Sequence, residues 1–398
     1  MRKRIFTMIP LVALLASCGS APDPLAAVAK QLPNDVTPVS KTSEEEQETY
    51  SRALNKVMEG ITTFDFSKSV YELSLGLNVS VSGSYQGVAF SGSVGLRGNV
   101  TVGFDQYKES EETYSSMFMS VDNLSLSANI NLPSAMLEKM PFTFPTSMSY
   151  GLKFAEYIEE TPSGTFVYAD YSDHGLQDII AGVVELNVTE QSKIDEALDN
   201  ILGTKDGSGY RPGYAKINLS SILPEIYQDM TNSALPPAIA NKPISYAMDM
   251  MGNSVEEFLS KAGDMLPAIV EIVNPYVGVQ YNGNELDKVT AVFNVNVASL
   301  IQQAGGDPSS VPVSGVFGLL VSVGTDHGSK VPVLETLELS ANMSVATENF
   351  TVGLNGNLAF NAYFGSQANV KHVSNPSSYV DVTSVITGLM HSKGSEEI

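Results

Sequence analysis

The sequence predicts a β-rich α+β fold: a large curved antiparallel sheet, half-barrel-like and internally duplicated, with helices packed on its concave face. Three observations carry this expectation. Long segments alternate apolar and polar residues with period two, and two of those segments recur near the other end of the chain. Between the two β-rich parts lie amphipathic helical stretches, which need an apolar partner that one face of such a sheet can supply.

Taken in order, a first helix is expected from about Glu45 to Gly60. Ser43 and Glu46 are spaced as a capping box, and Ala53, Leu54 and Val57 form the apolar side. The period then changes to two. Leu73, Leu75, Leu77, Val79 and Val81 alternate with Ser74, Gly76, Asn78, Ser80 and Ser82, the pattern of a half-buried strand. After a turn at Gly83 to Gly87 the alternation resumes through Val88, Phe90, Val94, Leu96, Val100, Val102 and Phe104, so the two strands should form a hairpin. A third strand, Met117 to Leu132, changes its apolar phase across Asp122 and Asn123, which predicts one inserted residue and a β-bulge.

The C-terminal part repeats this arrangement through Leu337, Leu339, Met343 and Val345, then Phe350, Val352, Leu354, Leu358, Phe360 and Phe364. Leu75, Asn78, Ser80 and Val81 read against Leu339, Asn342, Ser344 and Val345; Leu96, Gly98 and Asn99 read against Leu354, Gly356 and Asn357. An internal duplication follows, with copies at about 44–223 and 224–392. A shorter pattern, apolar, Asn or Asp, apolar, small, Ser, ends at Ser134, Ser221, Ser299 and Ser384. It reads as a strand switching to a helix whose free N–H groups the Ser or Thr hydroxyl caps. The helices between the halves are Thr189 to Leu202, stopping at Gly203, and a stretch opened by a second capping box at Ser254 and Glu257. The latter carries Val255, Phe258, Leu259, Ala262, Leu266, Ile269 and Val273 on one side, with a kink near Pro267.

The N-terminus has a different character. Arg2, Lys3 and Arg4 precede an apolar run, Ile5 to Ala16, that is too short to cross a bilayer, the layout of an export signal. The run ends in Leu15, Ala16, Ser17 and Cys18. This resembles the lipobox of bacterial lipoproteins, which implies cleavage after residue 17, lipid attached to Cys18 and anchoring to a membrane. With Gly19 following, the resemblance to sorting rules in two-membrane bacteria implies the outer membrane. Residues 18–43 are then expected to be a lipidated tether of low packing potential, reaching ~80 Å, and residues 44–398 the folded body.

Composition narrows the function. Cys18 is the sole cysteine, so the mature chain has no thiol for a disulfide, metal site or nucleophile. The chain has 22 basic and 44 acidic residues; removing residues 1–17 takes away three basic ones and leaves −25. Such a field repels nucleic acid. Four His residues stand at 174, 327, 372 and 391, none at metal-ligand spacing, and no hydrolase, phosphate-loop or dinucleotide motif is present. Asp173-His174-Gly175 and Asp326-His327-Gly328 read as hairpin turns. No enzyme and no cofactor is expected.

What remains is a cluster of methionines, Met248, Met250, Met251 and Met265, around the central amphipathic stretch. Met suits a surface that accepts variable apolar ligands. With the anchor and the half-oily strands, the layout resembles the envelope carriers of the LolA and LppX type, which hold acyl chains in a half-barrel covered by helices. That resemblance implies a lipid or amphiphile ligand in an apolar cavity, here lined by Met251, Phe258 and Met265. The other reading is a surface-displayed structural or adhesive β protein without a cavity.

Overall fold

A computed structural model describes residues 30–62, 68–85, 88–109, 111–131, 147–188, 190–246, 275–303, 305–326, 330–347 and 349–393. Among the described residues, thirteen strands form one open sheet. In chain order they are β1 (Thr37–Pro38), β2 (Lys68–Tyr85), β3 (Val88–Glu109), β4 (Glu112–Asn131), β5 (Ser147–Thr161), β6 (Gly164–Asp170), β7 (Tyr214–Asn218), β8 (Tyr276–Asn282), β9 (Glu285–Asn296), β10 (Val313–Thr325), β11 (Pro332–Ala346), β12 (Phe350–Phe364) and β13 (Val380–Asp381). Their order across the sheet is β1-β8-β9-β10-β11-β12-β2-β3-β4-β5-β6-β7-β13. The β11–β12 and β2–β3 hairpins, whose residues match in sequence, therefore lie side by side, joined by β12 against β2. Every neighbouring pair is antiparallel except β13 with β7, a parallel edge pair that makes the sheet mixed.

The expected phase change in β4 is a bulge. Arg97 pairs with Ser125 but Asn99 with Asp122, so β4 carries one extra residue, and Asn123 takes the left-handed conformation at φ 55°. Because facing residues of antiparallel strands share a side, the register fixes two faces. One is apolar: Leu339, Leu358 and Leu75 stand in one row, and Leu77, Leu96 and Leu126 in another. The other is polar: Asn342, Asn355 and Asn78 face one another, as do Asn357, Gly76, Arg97 and Ser125.

Helix α1 (Glu44–Thr62) starts as expected, with Ser43 N–H donating to Glu46 Oε2 (3.1 Å) and Glu46 N–H to Ser43 Oγ (3.2 Å). Hydroxyls of Ser40 and Thr42 also donate to Glu46 and hold its carboxyl down to about 2. Tyr50, Ala53 and Val57, one stripe of α1, bury against Val279, Val289, Ala291, Phe293, Val321 and Val323 on the apolar face of β8–β10.

Residues 30–39, expected within the tether, instead pack on the sheet. Lys30 Nζ pairs with Glu338 at 2.7 Å, Val36 is buried over Gly278, and β1 hydrogen-bonds to β8. An Ala/Pro/Ser composition hid one well-placed valine and a glycine with room to receive it.

The remaining helices among the described residues are α2 (His174–Asn187), α3 (Gln191–Leu202), α4 (Leu219–Thr231), α5 (Pro237–Asn241), α6 (Val297–Gln303) and α7 (Thr383–Lys393). Helix α3 ends at Gly203, φ 84°, as expected. Three of the four strand-to-helix switches fall at β7–α4, β9–α6 and β13–α7; the switch after Asn131 lies outside the described residues. Their caps differ from expectation. Asn296 Oδ1 accepts from Ala298 N–H (2.8 Å) and Asp381 Oδ1 from Thr383 N–H (3.0 Å), so at these two helix starts the Asx side chain, not the hydroxyl, is the cap, while Asn218 at the start of α4 makes no side-chain cap. The hydroxyls tie strands together: Thr383 Oγ1 accepts from Asn218 N–H and Ser220 Oγ from Thr165 N–H. Asp173 likewise caps α2, accepting from Leu176 N–H at 3.1 Å, so the first Asp-His-Gly opens a helix rather than a hairpin. Asp326 and Lys330 flank the connection of the β10–β11 hairpin, in which His327 lies outside the described residues.

Two nonlocal devices fix the lower end of the sheet. On the apolar side, Glu160 of β5 is wholly buried and accepts from Ser115, Ile244 and Ser245 N–H groups and from Ser245 Oγ, at 2.5 to 3.0 Å. This docks Ile244 onto Tyr71, Phe104 and Ala362. On the opposite side, residues 365–379 run from β12 to the far edge over Val70 and Phe118. His372 there stands 3.4 Å from Asp105 and 3.6 Å from Glu159, and Tyr379 meets Tyr168 and Tyr214 edge-on.

Candidate functional site

The centre of the sheet, β11, β12, β2, β3 and β4, offers two surfaces. On the apolar face, α1 covers the β8–β10 side and Ile244 the lower end. Elsewhere on this face large apolar side chains meet solvent: Val94 is 47% exposed, Leu126 38%, Leu339 41%, Val88 49% and Phe350 43%. All five lie on one face by register, since Val94 and Leu126 stand on the Leu96 side, Leu339 faces Leu358, and Phe350 faces Gly83. A single exposed leucine is ordinary, but five large apolar side chains exposed on one face of one sheet make that face a candidate interaction surface. Beside it Leu77 and Val79 pack with Met343 and Leu354, so the strip continues into the core and rests on rigid strands.

The polar face carries a cavity of about 680 Å³ at the same level of the sheet. Its walls are Ser74, Asn78, Arg97, Asn99, Asn355 and Asn357, joined by Asn123 and Ser125, with Gly76 in the floor. The floor residue is glycine for a reason: a Cβ at Gly76 would stand 2.3 Å from Asn357 Oδ1. Asn123 reaches the wall because the bulge turns it there. Helix α1 thus lies on the apolar side and the described cavity opens on the polar one, whereas the sequence placed helices and cavity together.

Of the residues singled out from sequence, Cys18, Met251, Phe258 and Met265 lie outside the described residues, as does the capping box at Ser254 and Glu257. His174 stacks flat on Tyr210 at 3.5 Å, beside the buried Arg211, whose guanidinium pairs with Asp199 at 2.8 Å; this is packing between α2, α3 and the loop after them. The polar cavity was not expected, although Asn78, Asn99 and Asn357 of its walls stood out as repeated sequence matches. Among the described residues, no helix is long and apolar enough to cross a membrane.

No protein-family model and no curated protein matches the chain. Among solved structures it is similar to lipovitellin, described for its lipid–protein interactions, at 7% identity and a TM-score of 0.25 over 78% of this chain. The chain spans 27% of the length of that lipovitellin chain. It is also similar to the translocator domain of the autotransporter NalP from Neisseria meningitidis, at 6% identity and a TM-score of 0.14, covering 82% of this chain and 99% of that one.

Proposed function

We propose that this protein is a non-enzymatic envelope lipoprotein that binds lipid or another amphiphile on the apolar face of its open sheet. The observation that carries the reading is the set of five exposed apolar side chains on one face, Val88, Val94, Leu126, Leu339 and Phe350. Acyl chains recognise such a surface without any specific polar contact. In this reading the sheet is a curved, duplicated half-barrel built from the paired hairpins, and Cys18 carries the lipid that holds it to the outer membrane. With residues 30–39 docked on the body, residues 18–29 are left to span the gap, ~40 Å at most. No cofactor or nucleic acid takes part, in keeping with the net charge of −22.

Two measurements test this. The purified protein should bind a fluorescent fatty-acid probe with Kd near ~1 μM, about −8 kcal/mol, which burial of roughly 300 Å² of acyl surface supplies. Leu126→Glu combined with Leu339→Glu should abolish that binding and leave the far-UV circular dichroism unchanged, because both side chains are already solvent-exposed. A wild-type protein that binds no probe, or a double variant that binds as well, overturns the reading and favours an adhesive or structural role. For the anchor, Cys18→Ala should move the protein from the membrane pellet to the soluble fraction; a variant that still sediments through a salt wash rules out lipid at Cys18 as the attachment.

A further inference from the structure

We propose that the cavity on the polar face is a saccharide site, selective for an oligosaccharide that carries a carboxylate, of the uronic-acid class. It lies on the opposite side of the sheet from the amphiphile surface, so either assignment can fail without the other.

The chemistry of the walls points there. Asn78, Asn99, Asn123, Asn355 and Asn357 bring five side-chain amides to one concave surface, with Ser74 and Ser125 beside them. Among the described residues, none of these five amides hydrogen-bonds to another protein group. Each amide offers a donor and an acceptor side by side, which matches adjacent sugar hydroxyls, themselves both donors and acceptors. The amides come from four neighbouring strands, β12, β2, β3 and β4, and are therefore spaced by a rigid frame. Glu72, Asp122 and Glu338 share this face by register, but none of them lines the cavity, whose walls carry Asn, Ser and Gly with one Arg.

Charge narrows the class further. Arg97 is the single charged side chain in the walls, no carboxylate lines the cavity, and among the described residues Arg97 has no ion-pair partner. A guanidinium beside amides takes a carboxylate through two parallel N–H donors. The cavity volume of about 680 Å³ lies within the ~300–1,000 Å³ range of small-molecule sites. Gly76 keeps it deep, since any larger residue there would push Asn357 aside.

The test uses the full chain and trigalacturonate, with maltotriose as the neutral counterpart and inorganic phosphate as the plain anion, in isothermal titration calorimetry. Trigalacturonate should bind, and at least tenfold more tightly than maltotriose. Arg97→Ala should reduce trigalacturonate binding at least tenfold and remove the preference. Asn78→Ala with Asn355→Ala should remove binding of both sugars. Gly76→Leu should do the same by filling the floor, while Asn129→Ala, on the same face but outside the cavity, should change nothing. Circular dichroism checks that each variant is folded. No binding of trigalacturonate by the wild type overturns the proposal, as does equal binding by Arg97→Ala. Phosphate binding as tight as the sugar's would make it a simple anion site and would also overturn it.

Discussion

Replacing Glu160 with Ala is expected to destabilise the protein by roughly 3–5 kcal/mol, because one buried carboxyl gathers four hydrogen-bond donors. The carboxylate is fully buried and receives three backbone N–H groups and one hydroxyl. Alanine removes the acceptor of the Ser115 and Ile244 N–H groups, both buried, at a cost of ~1–3 kcal/mol each before relaxation, while the Ser245 hydroxyl keeps Ser115 Oγ at 2.9 Å. The loss also frees Ile244 from Tyr71 and Phe104, where it closes the lower end of the apolar face. Glu160→Gln should fall between wild type and Ala, since one amide oxygen still accepts while the NH₂ faces donors. Urea denaturation followed by fluorescence of the tyrosines measures this; a midpoint for Glu160→Ala equal to that of wild type would show the carboxylate to be dispensable.

Nothing in the sequence marks Glu160. It stands in Tyr-Ile-Glu-Glu-Thr beside an acidic neighbour and reads as strand-end charge; its donors come from Ser115 and from Ile244 and Ser245, 45 and about 84 positions away. Local signals were legible by contrast. The alternation from Leu73 to Phe104, the phase change at Asn123 and the box at Ser43 and Glu46 each appear where the residues put them, because each depends on neighbours within a few positions or on the next strand. Strand order was not legible in this way. Pairing Leu358 with Leu75 joins residues on opposite halves of the chain, and no turn chemistry specifies it.

The candidate surfaces divide along the same line. Which side chains share the apolar face follows from period two, and Val94, Leu126 and Leu339 were readable as members of it. Their exposure was not, since it depends on where α1 and Ile244 stop covering the sheet. The polar cavity was the harder case. Asn78 and Asn99 stood on the wet face as expected, but a concavity of about 680 Å³ needs the backbone approach of four strands and a glycine beneath Asn357, which periodicity does not encode. His372 with Asp105 and Glu159 was hidden for the same reason: the segment 365–379 crosses strands more than 200 positions away in sequence.

A glycine in a strand usually weakens it, yet Gly103→Val, which raises strand propensity, is expected to destabilise this protein by about 1–3 kcal/mol. Gly103 faces Phe118 across β3 and β4, and a Cβ there would stand 2.0 Å from the phenylalanine ring. The ring is 1% exposed, stacks on Tyr157 with centroids 6.5 Å apart, and fills the space over the bare backbone of β3. Val70, Ala368, Tyr363 and Val370 close around it, so it has nowhere to move without opening the contact between the sheet and residues 365–379. Phe118→Ala should cost roughly 3–5 kcal/mol through the cavity it leaves. The decisive measurement is the double variant. If Gly103 and Phe118 are one packing unit, valine at 103 occupies part of the space that alanine at 118 vacates, and the double variant is more stable than Phe118→Ala alone. Additive losses in urea denaturation would show instead that the two positions act independently, and that the glycine is not there to receive the ring.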